Sequence, residues 1–401
     1  MPTFYSIGFF GAPNFGDELL CKTLVDHLVN TIDDADVRVM TRSSEVSSSY
    51  TGLETMLIEG WAPTPEYTRH LVQHLRAVWR SDLILIGGGG LISDHYTWHS
   101  AVRYFTDVCW AVLLQRRYAF VGLGVVGIKR WWLRPLVRFA CRHAASIYVR
   151  DATSSTRMHE LSGRTDIQIG PDLASLASLE SPPEPTTPFA LVNFREKPPI
   201  NEAGLRDLIE TLADRVGRVV LLPAQAADLR YYRHIVSGLP AHTQNLVHIE
   251  EMTSLGDAIT HIAQAQVVVA ERLHVNVVAA QKQKRLLVLE YEHKVTAYME
   301  SVGTGHLTCS LQDIGAEHAL GLLSLDPPNR TSRLLSLQSE AGAALKAAVA
   351  TGLSAKKHAA MTRVGATCHL GWLIPLIGTY GVLILIKRLL FGRGAIGKHA
   401  S

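Results

Sequence analysis

Asp82-Leu83-Ile84-Leu85-Ile86-Gly87-Gly88-Gly89-Gly90 is an apolar run that ends in four successive glycines, and it indicates the fold of the domain around it. Its apolar residues are continuous rather than alternating, which is typical of a parallel strand buried on both faces. The glycines that follow predict a turn where a ligand or another chain segment approaches the backbone closely. In sheets of this kind, ligands bind at the carboxyl ends of the strands.

Short apolar runs alternate with amphipathic stretches on both sides of this strand. This alternation predicts a doubly wound α/β domain at 1–179. The prolines at 180–188 predict an interdomain linker, because proline interrupts both helices and central strands. A second Rossmann-like domain is predicted at 189–330. The predicted strands are 4–10, 37–40, 82–86, 118–123, 147–149, 189–194, 219–222, 246–249, 267–269 and 286–289. The predicted helices include one that opens at Asp17, followed by 99–115, 131–144, 202–215, 228–238, 254–264 and one from Arg272.

The C-terminal part of the chain has a different composition. Residues 331–363 predict a helical segment on the surface, and 364–391 predict a hydrophobic tail. Val364–Ile386 contains no Asp, Glu, Lys or Arg, and basic residues flank it. Such a run is long enough to span a bilayer, so we expect a membrane-associated tail. The alternative is a hydrophobic helix that docks on the second domain.

Composition excludes several function classes. The chain has 39 Lys+Arg against 36 Asp+Glu, a formal net charge of +3, which gives no sign of a nucleic-acid binder. The 5 cysteines form no C-x-x-C pair, which favours a reducing cytosol over a disulfide framework. The segment after Met1 shows no secretory signal. The histidines form no metal-ligand pattern, so neither a metal nor a cofactor is expected.

Two glycine-rich turns of the first domain predict binding loops. In the first, Asn14 and Gly16 suit left-handed turn angles and Asp17 suits a helix N-cap. In the second, the backbone of Gly88, Gly89 and Gly90, followed by Asp94, can hold an anion or sugar hydroxyls. A structural βα turn is an equally good interpretation of the first loop. Gly122–Gly127 matches G-x-G-x-x-G by letter, but no acidic partner for a ribose follows it.

Cations follow two predicted strands of the second domain. Arg195 comes directly after one strand, and Arg272 begins the helix after another, with His274 close behind. A helix N-terminus carries partial positive charge, and Arg272 can add a bidentate contact to a phosphate or carboxylate. The structural alternatives are an ion pair between Arg272 and Glu271 and a helix histidine satisfied by a neighbour. Spacing alone leaves both open.

These segments, taken in order, resemble the polysaccharide pyruvyl transferase family over about residues 4–300. Where the family places a small residue shortly before its Arg-Leu-His, this chain has Ala270-Glu271. The matching motifs are Asn14-Phe15-Gly16-Asp17-Glu18, Leu83 to Gly90, Gly122-Leu123-Gly124, Val149-Arg150-Asp151, Gly170-Pro171-Asp172 and Arg272-Leu273-His274.

The resemblance implies two Rossmann-like domains in a GT-B-like arrangement, with phosphoenolpyruvate on the second domain. Such an enzyme moves the pyruvyl group onto two sugar hydroxyls as a cyclic ketal and releases phosphate. Arg195 and Arg272 would hold the donor, His274 would be the general acid, and Asp17, or second Asp94, would accept protons from the acceptor. The acceptor would be a cell-envelope or lipid-linked glycan. The enzyme would then lie in the cytoplasm, attached by its tail to the inner face of the plasma membrane.

Two other functions fit the same architecture. A GT-B glycosyltransferase would use a nucleotide sugar and often carries a Glu-x7-Glu pair, which Glu202/Glu210 and Glu292/Glu300 match by letter. A non-catalytic scaffold tethered to the membrane would bind glycan or protein in the cleft. The combination of Arg195, Arg272 and His274 argues against the scaffold.

Overall fold

The computed structural model describes two parallel sheets, each covered by helices on both faces. It describes residues 1–53, 56–59, 67–94, 98–179, 187–196, 200–251, 254–290, 293–324 and 329–355. The first sheet has the order β3-β2-β1-β4-β5-β6-β7, and the second has the order β10-β9-β8-β11-β12-β13. The predicted fold of two Rossmann-like domains is therefore confirmed.

The first sheet is formed by β1 (Thr3–Ile7), β2 (Asp36–Thr41), β3 (Met56–Glu59), β4 (Leu83–Ser93), β5 (Tyr118–Gly127), β6 (Ser146–Val149) and β7 (Gln168–Ile169). Its helices are α1 (Phe15–Thr31), α2 (Ser44–Thr51), α3 (Tyr67–Arg80), α4 (Trp98–Leu113), α5 (Arg134–His143) and α6 (Ala152–Ser162). A 3₁₀ turn over Trp131–Leu133 precedes α5. The chain doubles back between β1 and β4, so this pair marks the switch point of the sheet.

The second sheet is formed by β8 (Ala190–Asn193), β9 (Val219–Leu221), β10 (Val247–Ile249), β11 (Val267–Ala270), β12 (Arg285–Glu290) and β13 (Thr308–Ser310). Its helices are α7 (Glu202–Val216), α8 (Asp228–Ser237), α9 (Ala241–Gln244), α10 (Leu255–Gln264), α11 (Leu273–Gln281), α12 (His293–Ser301) and α13 (Ala316–Ser324). Here the switch point lies between β8 and β11.

The last described helix, α14 (Thr331–Ser354), returns to the first sheet. Ala344 and Ala348 are buried, and the Ser146 hydroxyl donates to the carbonyl of Ala348 at 3.0 Å. The helix predicted for the surface therefore exists, but one of its faces packs on the N-terminal domain.

Three details differ from the sequence predictions. Strand β4 does not stop at Ile86 but runs through the glycines, with an irregular register after Gly89. Helix α1 begins before Asp17: its N-cap is Asn14, whose side chain accepts from Gly16 N at 3.1 Å. Neither Asn14 nor Gly16 has the left-handed backbone angles that the sequence predicts. The residue of this loop with a positive φ, +77°, is Gly11.

Most of the predicted linker and all of the predicted tail at 364–391 lie outside the described residues. In the part of the chain that the structure does describe, no helix is long and apolar enough to cross a bilayer.

Candidate active site

The two switch points meet through the first turns of α1 and α11. A Cβ atom on Gly16 would lie 2.1 Å from Nδ1 of His274, so the imidazole lies directly against the backbone of α1. The neighbouring loop of the second domain pairs with the same turn, since Phe15 N donates to the carbonyl of Ala224 at 2.9 Å. Two helix N-termini, each with partial positive charge, thus converge on one place.

A buried carboxylate faces the other side of the histidine ring. Asp172 Oδ1 lies 3.6 Å from His274 Nε2, and Asp172 Oδ2 accepts from Arg150 Nη1 at 3.1 Å. Burial by itself would raise the pKa of Asp172, but the neighbouring His274 and Arg150 hold it well below its ordinary value. An ionised carboxylate is therefore fixed behind the imidazole, where it can set the orientation of the ring.

The glycines of the G-x-G-x-x-G segment serve this arrangement rather than a dinucleotide. A Cβ on Gly124 would lie 2.7 Å from the guanidinium carbon of Arg150. Gly122 has a φ of +58°, and a Cβ there would lie 2.4 Å from Leu173. The segment is therefore a packing surface for Arg150 and for the turn that carries Asp172.

Arg272 is held at the start of α11 by one residue of α8 and one residue of β8. Its Nη2 donates to Asp228 Oδ1 at 2.9 Å, and its backbone N donates to Asn193 Oδ1 at 3.1 Å. Asp228 also accepts from the backbone N of Ala224 and Gln225. The predicted alternative partner of Arg272, Glu271, pairs elsewhere.

Glu271 is fully buried and binds Arg195. Arg195 Nε donates to Glu271 Oε1 at 2.7 Å, and Arg195 N donates to Oε2 at 2.8 Å. Burial raises the pKa of Glu271, and Arg195 and Arg272 oppose that shift. Asn193 and Ala270 are partners across β8 and β11, so the two arginines leave adjacent strand ends.

The first domain contributes Asp17 beside the glycine run. A Cβ on Gly89 would lie 3.0 Å from Asp17 Oδ1, and one on Gly88 would lie 3.3 Å from Leu20 of α1. Both glycines have a positive φ, at +89° and +76°. The close approach that they permit is therefore made by α1; Gly90 is exposed.

Asp94 has a structural role in the turn after β5. Its two carboxylate oxygens accept from the backbone N of Lys129 and Arg130, each at 2.8 Å. Burial would raise its pKa, but these hydrogen bonds and the Arg130 guanidinium lower it. Asp94 is the second candidate for accepting protons from the acceptor, and in the structure its two oxygens accept hydrogen bonds from this turn.

The pair Glu202/Glu210 lies on α7, where Glu202 contacts Arg206, His234 and Tyr231. Glu292 lies outside the described residues. Among the described side chains, no group of three His, Cys, Asp or Glu could hold a metal ion.

Sequence reasoning missed Asp172, Arg150 and Asp228 as members of the site. The signal for the first two was present, because Gly170-Pro171-Asp172 and Val149-Arg150-Asp151 are among the motifs that carry the family resemblance. Asp228 has no such signal; only its position at the start of α8 brings it to Arg272.

Solved structures share the fold at low sequence identity. S. aureus MnaA in complex with UDP is 13% identical with a TM-score of 0.57, covering 87% of this chain and 95% of that one. UDP-GlcNAc 2-epimerase from Neisseria meningitidis, bound to UDP-GlcNAc, is 12% identical with a TM-score of 0.54, covering 88% and 100%. The 2-epimerase from Rickettsia bellii is 11% identical with a TM-score of 0.55, covering 88% and 96%. These likenesses show a GT-B-like arrangement of the two domains.

A comparison with curated proteins gives no significant match. The family model described as polysaccharide pyruvyl transferase matches residues 14–293. That range contains the first turn of α1, the Arg150–Asp172 pair and the first turn of α11. The chain belongs to the polysaccharide pyruvyl transferase family.

Proposed function

We propose that the protein transfers the pyruvyl group of phosphoenolpyruvate to two hydroxyls of a glycan, forming a cyclic ketal and releasing phosphate. The observation that carries this proposal is the contact between the first turns of α1 and α11, which places His274 between Gly16 and the carboxylate of Asp172. The arginines that leave the adjacent ends of β8 and β11 supply the charge that the donor requires.

Phosphoenolpyruvate carries a carboxylate and a phosphate on neighbouring atoms. The side chains of Arg195 and Arg272 are only 15% and 14% exposed, and each is held by a buried carboxylate. Such preorganised guanidinium groups bind oxyanions with little further ordering. The N-termini of α1 and α11 add backbone N–H donors and partial positive charge.

His274 is the group that can start the reaction. Its proton goes to the methylene carbon of the donor, which leaves positive charge on the central carbon. The first acceptor hydroxyl bonds to that carbon and loses its proton to Asp17. Phosphate then leaves with that proton, the second hydroxyl closes the ketal, and its proton restores His274. The proton of the second hydroxyl thus replaces the proton that His274 gave to the new methyl group. The proton of the first hydroxyl leaves with phosphate.

Thermal-shift titration tests donor binding without knowledge of the acceptor. Phosphoenolpyruvate at one hundred times its Kd should stabilise the protein by about 2.7 kcal/mol. Arg272→Gln should lose this stabilisation, whereas the matched variant Arg230→Gln should keep it, because Arg230 is 85% exposed and pairs only with Glu196 among the described residues. An unchanged shift in Arg272→Gln would remove this arginine from the donor site.

The second candidate is a glycosyltransferase that uses a nucleotide sugar. The structural neighbours bound to UDP and UDP-GlcNAc favour it at the level of fold. The same titration separates the two functions: stabilisation by UDP-GlcNAc together with no response to phosphoenolpyruvate would support the glycosyltransferase.

The acceptor that we propose is a cell-envelope or lipid-linked glycan, reached from the cytoplasmic face of the membrane. The apolar sequence at 364–391 supports this location, because it would hold the enzyme where such acceptors are made.

A further inference from the structure

A basic and aromatic surface lies on the described part of the N-terminal domain. It consists of Lys129, Trp131, Arg134, Arg138 and Arg142, and we call it the Trp131 patch. All five residues are exposed, and Trp131 is 78% exposed, which is unusual for a large aromatic side chain.

The patch has a defined geometry. Arg134, Arg138 and Arg142 follow one another at intervals of four residues on α5, so they share one face of the helix. The opposite face, with Val137 and Cys141, is buried in the domain. The three arginines therefore point outward from a helix that is already docked.

Little of the positive charge of this region is offset by carboxylates, although Asp94 pairs with the neighbouring Arg130. No Asp or Glu occurs between Asp107 and Asp151 in the sequence. Among the described residues, no carboxylate forms an ion pair with Arg134, Arg138 or Arg142. A cluster of cations beside an exposed tryptophan matches an anionic lipid surface, since the indole ring favours the headgroup region and the cations attract acidic lipids.

The turn that leads into the patch is held at the carboxyl end of β4. Asp94, which follows β4, binds the backbone N of Lys129 and Arg130. Strand β4 also carries the glycines against which α1 and Asp17 pack. A bilayer bound to the patch would therefore lie on the side of the first sheet where the strands have their carboxyl ends. The glycines of β4 and Asp17 lie on that side.

We propose that the Trp131 patch docks the protein on a membrane that contains anionic phospholipid. This docking is independent of the proposed reaction, because it involves neither the donor nor the residues that bind it. A protein that docks but does not transfer a pyruvyl group would refute only the proposed function.

Vesicle co-sedimentation of the full chain tests this inference. We expect the bound fraction on vesicles with about one third phosphatidylglycerol to exceed that on pure phosphatidylcholine, and the difference to shrink as salt is raised. The double substitution Arg134→Glu and Arg138→Glu should weaken binding to the acidic vesicles by about tenfold or more. Trp131→Ala should weaken binding to both kinds of vesicle, and Trp131→Phe should restore part of it.

The matched control is Arg230→Glu with Arg233→Glu, an equal reversal of charge on exposed residues of the second domain. Because every variant retains 364–391, any binding by the tail is common to all. Equal binding of the α5 variant, the control and the unmodified chain would overturn the proposal. The proposal would also be overturned if the protein bound no vesicles but bound single-stranded RNA, and if the α5 substitutions abolished that RNA binding.

Discussion

Gly16 is the residue whose substitution tests the position of His274 most directly. Its Cα hydrogen faces the ring of His274, and a Cβ would lie 2.1 Å from Nδ1 and 3.0 Å from Cε1. The ring has little room to move away, because its side chain is only 14% exposed and Asp172 lies behind it. A single methyl group at this position should therefore displace the imidazole.

Gly16→Ala should lower the rate of phosphate release from phosphoenolpyruvate in the presence of acceptor by about a hundredfold, because small displacements of a reacting group carry large kinetic costs. The melting temperature should fall as well, because the gain in helix propensity from alanine is smaller than the cost of placing a Cβ in a filled contact. The control is Gly321→Ala on α13, where a Cβ would meet no atom within 4 Å. That variant should be slightly more stable and fully active; wild-type turnover in Gly16→Ala would contradict the placement of His274.

Glu18 provides a pH-dependent test of the loop before α1. It is fully buried, and its Oε1 accepts from Gly11 N at 2.6 Å and from Ala12 N at 3.2 Å. Burial raises its pKa from 4.5 to about 7, although these hydrogen bonds act in the opposite direction. The folded state therefore retains a proton that the unfolded state releases, and the free energy of unfolding falls as pH rises between those two values.

Glu18→Gln keeps an acceptor at Oε1 but cannot ionise. Relative to the wild type, this variant should gain about 2 kcal/mol of unfolding free energy between pH 5 and pH 8. Urea denaturation at the two pH values measures this gain, and Glu317→Gln, at an exposed position on α13, is the control. If Glu18→Gln and the wild type keep the same stability difference at both pH values, the carboxyl group does not titrate in this range.

At the scale of elements, the C-terminal helix α14 joins the second domain to the first. Ala344 faces Gly170, where a Cβ would lie 2.8 Å from the Ala344 methyl group. Gly170 precedes Pro171 and Asp172, so the packing of α14 supports the turn that holds the carboxylate behind His274.

Ala344→Leu should destabilise the protein by about 1–3 kcal/mol, because it places additional methyl groups in a filled interface. Ala343→Leu is the matched control, since position 343 is exposed on the same helix. Chemical denaturation compares the two variants. Equal stability would show that α14 does not pack closely on the turn.

The elements show where sequence reasoning succeeds. Apolar runs such as Leu83–Ile86 predict strands correctly, and so do the short runs of β9 and β10, with 3 residues each. The sequence does not predict β3, β7 and β13, with 4, 2 and 3 residues, so strand length alone does not decide which strands are recognised. The glycines after Ile86 predict a turn, but in the structure they belong to an irregular strand and allow α1 to approach it. Composition cannot distinguish these outcomes, because both require positive φ and no side chain.

For the molecule as a whole, the sequence predicts two doubly wound domains and the approximate positions of the cations. It could not predict which carboxylates neutralise them. Arg272 pairs with Asp228, 44 positions away, and Arg195 with Glu271, 76 positions away. Such pairings depend on the order of strands in the sheet, which local patterns do not encode.

The proposed function requires that His274, held between the two domains, starts the transfer of a pyruvyl group to a glycan. Mass spectrometry of envelope glycans tests it most directly, in cells that lack the protein and in cells that regain the wild-type chain or His274→Gln. We expect one sugar to lose its pyruvyl ketal when the protein is absent, to regain it with the wild type and not to regain it with His274→Gln. A glycan that keeps its ketals but lacks a whole sugar residue would refute pyruvyl transfer, and a ketal restored by His274→Gln would refute the role of His274.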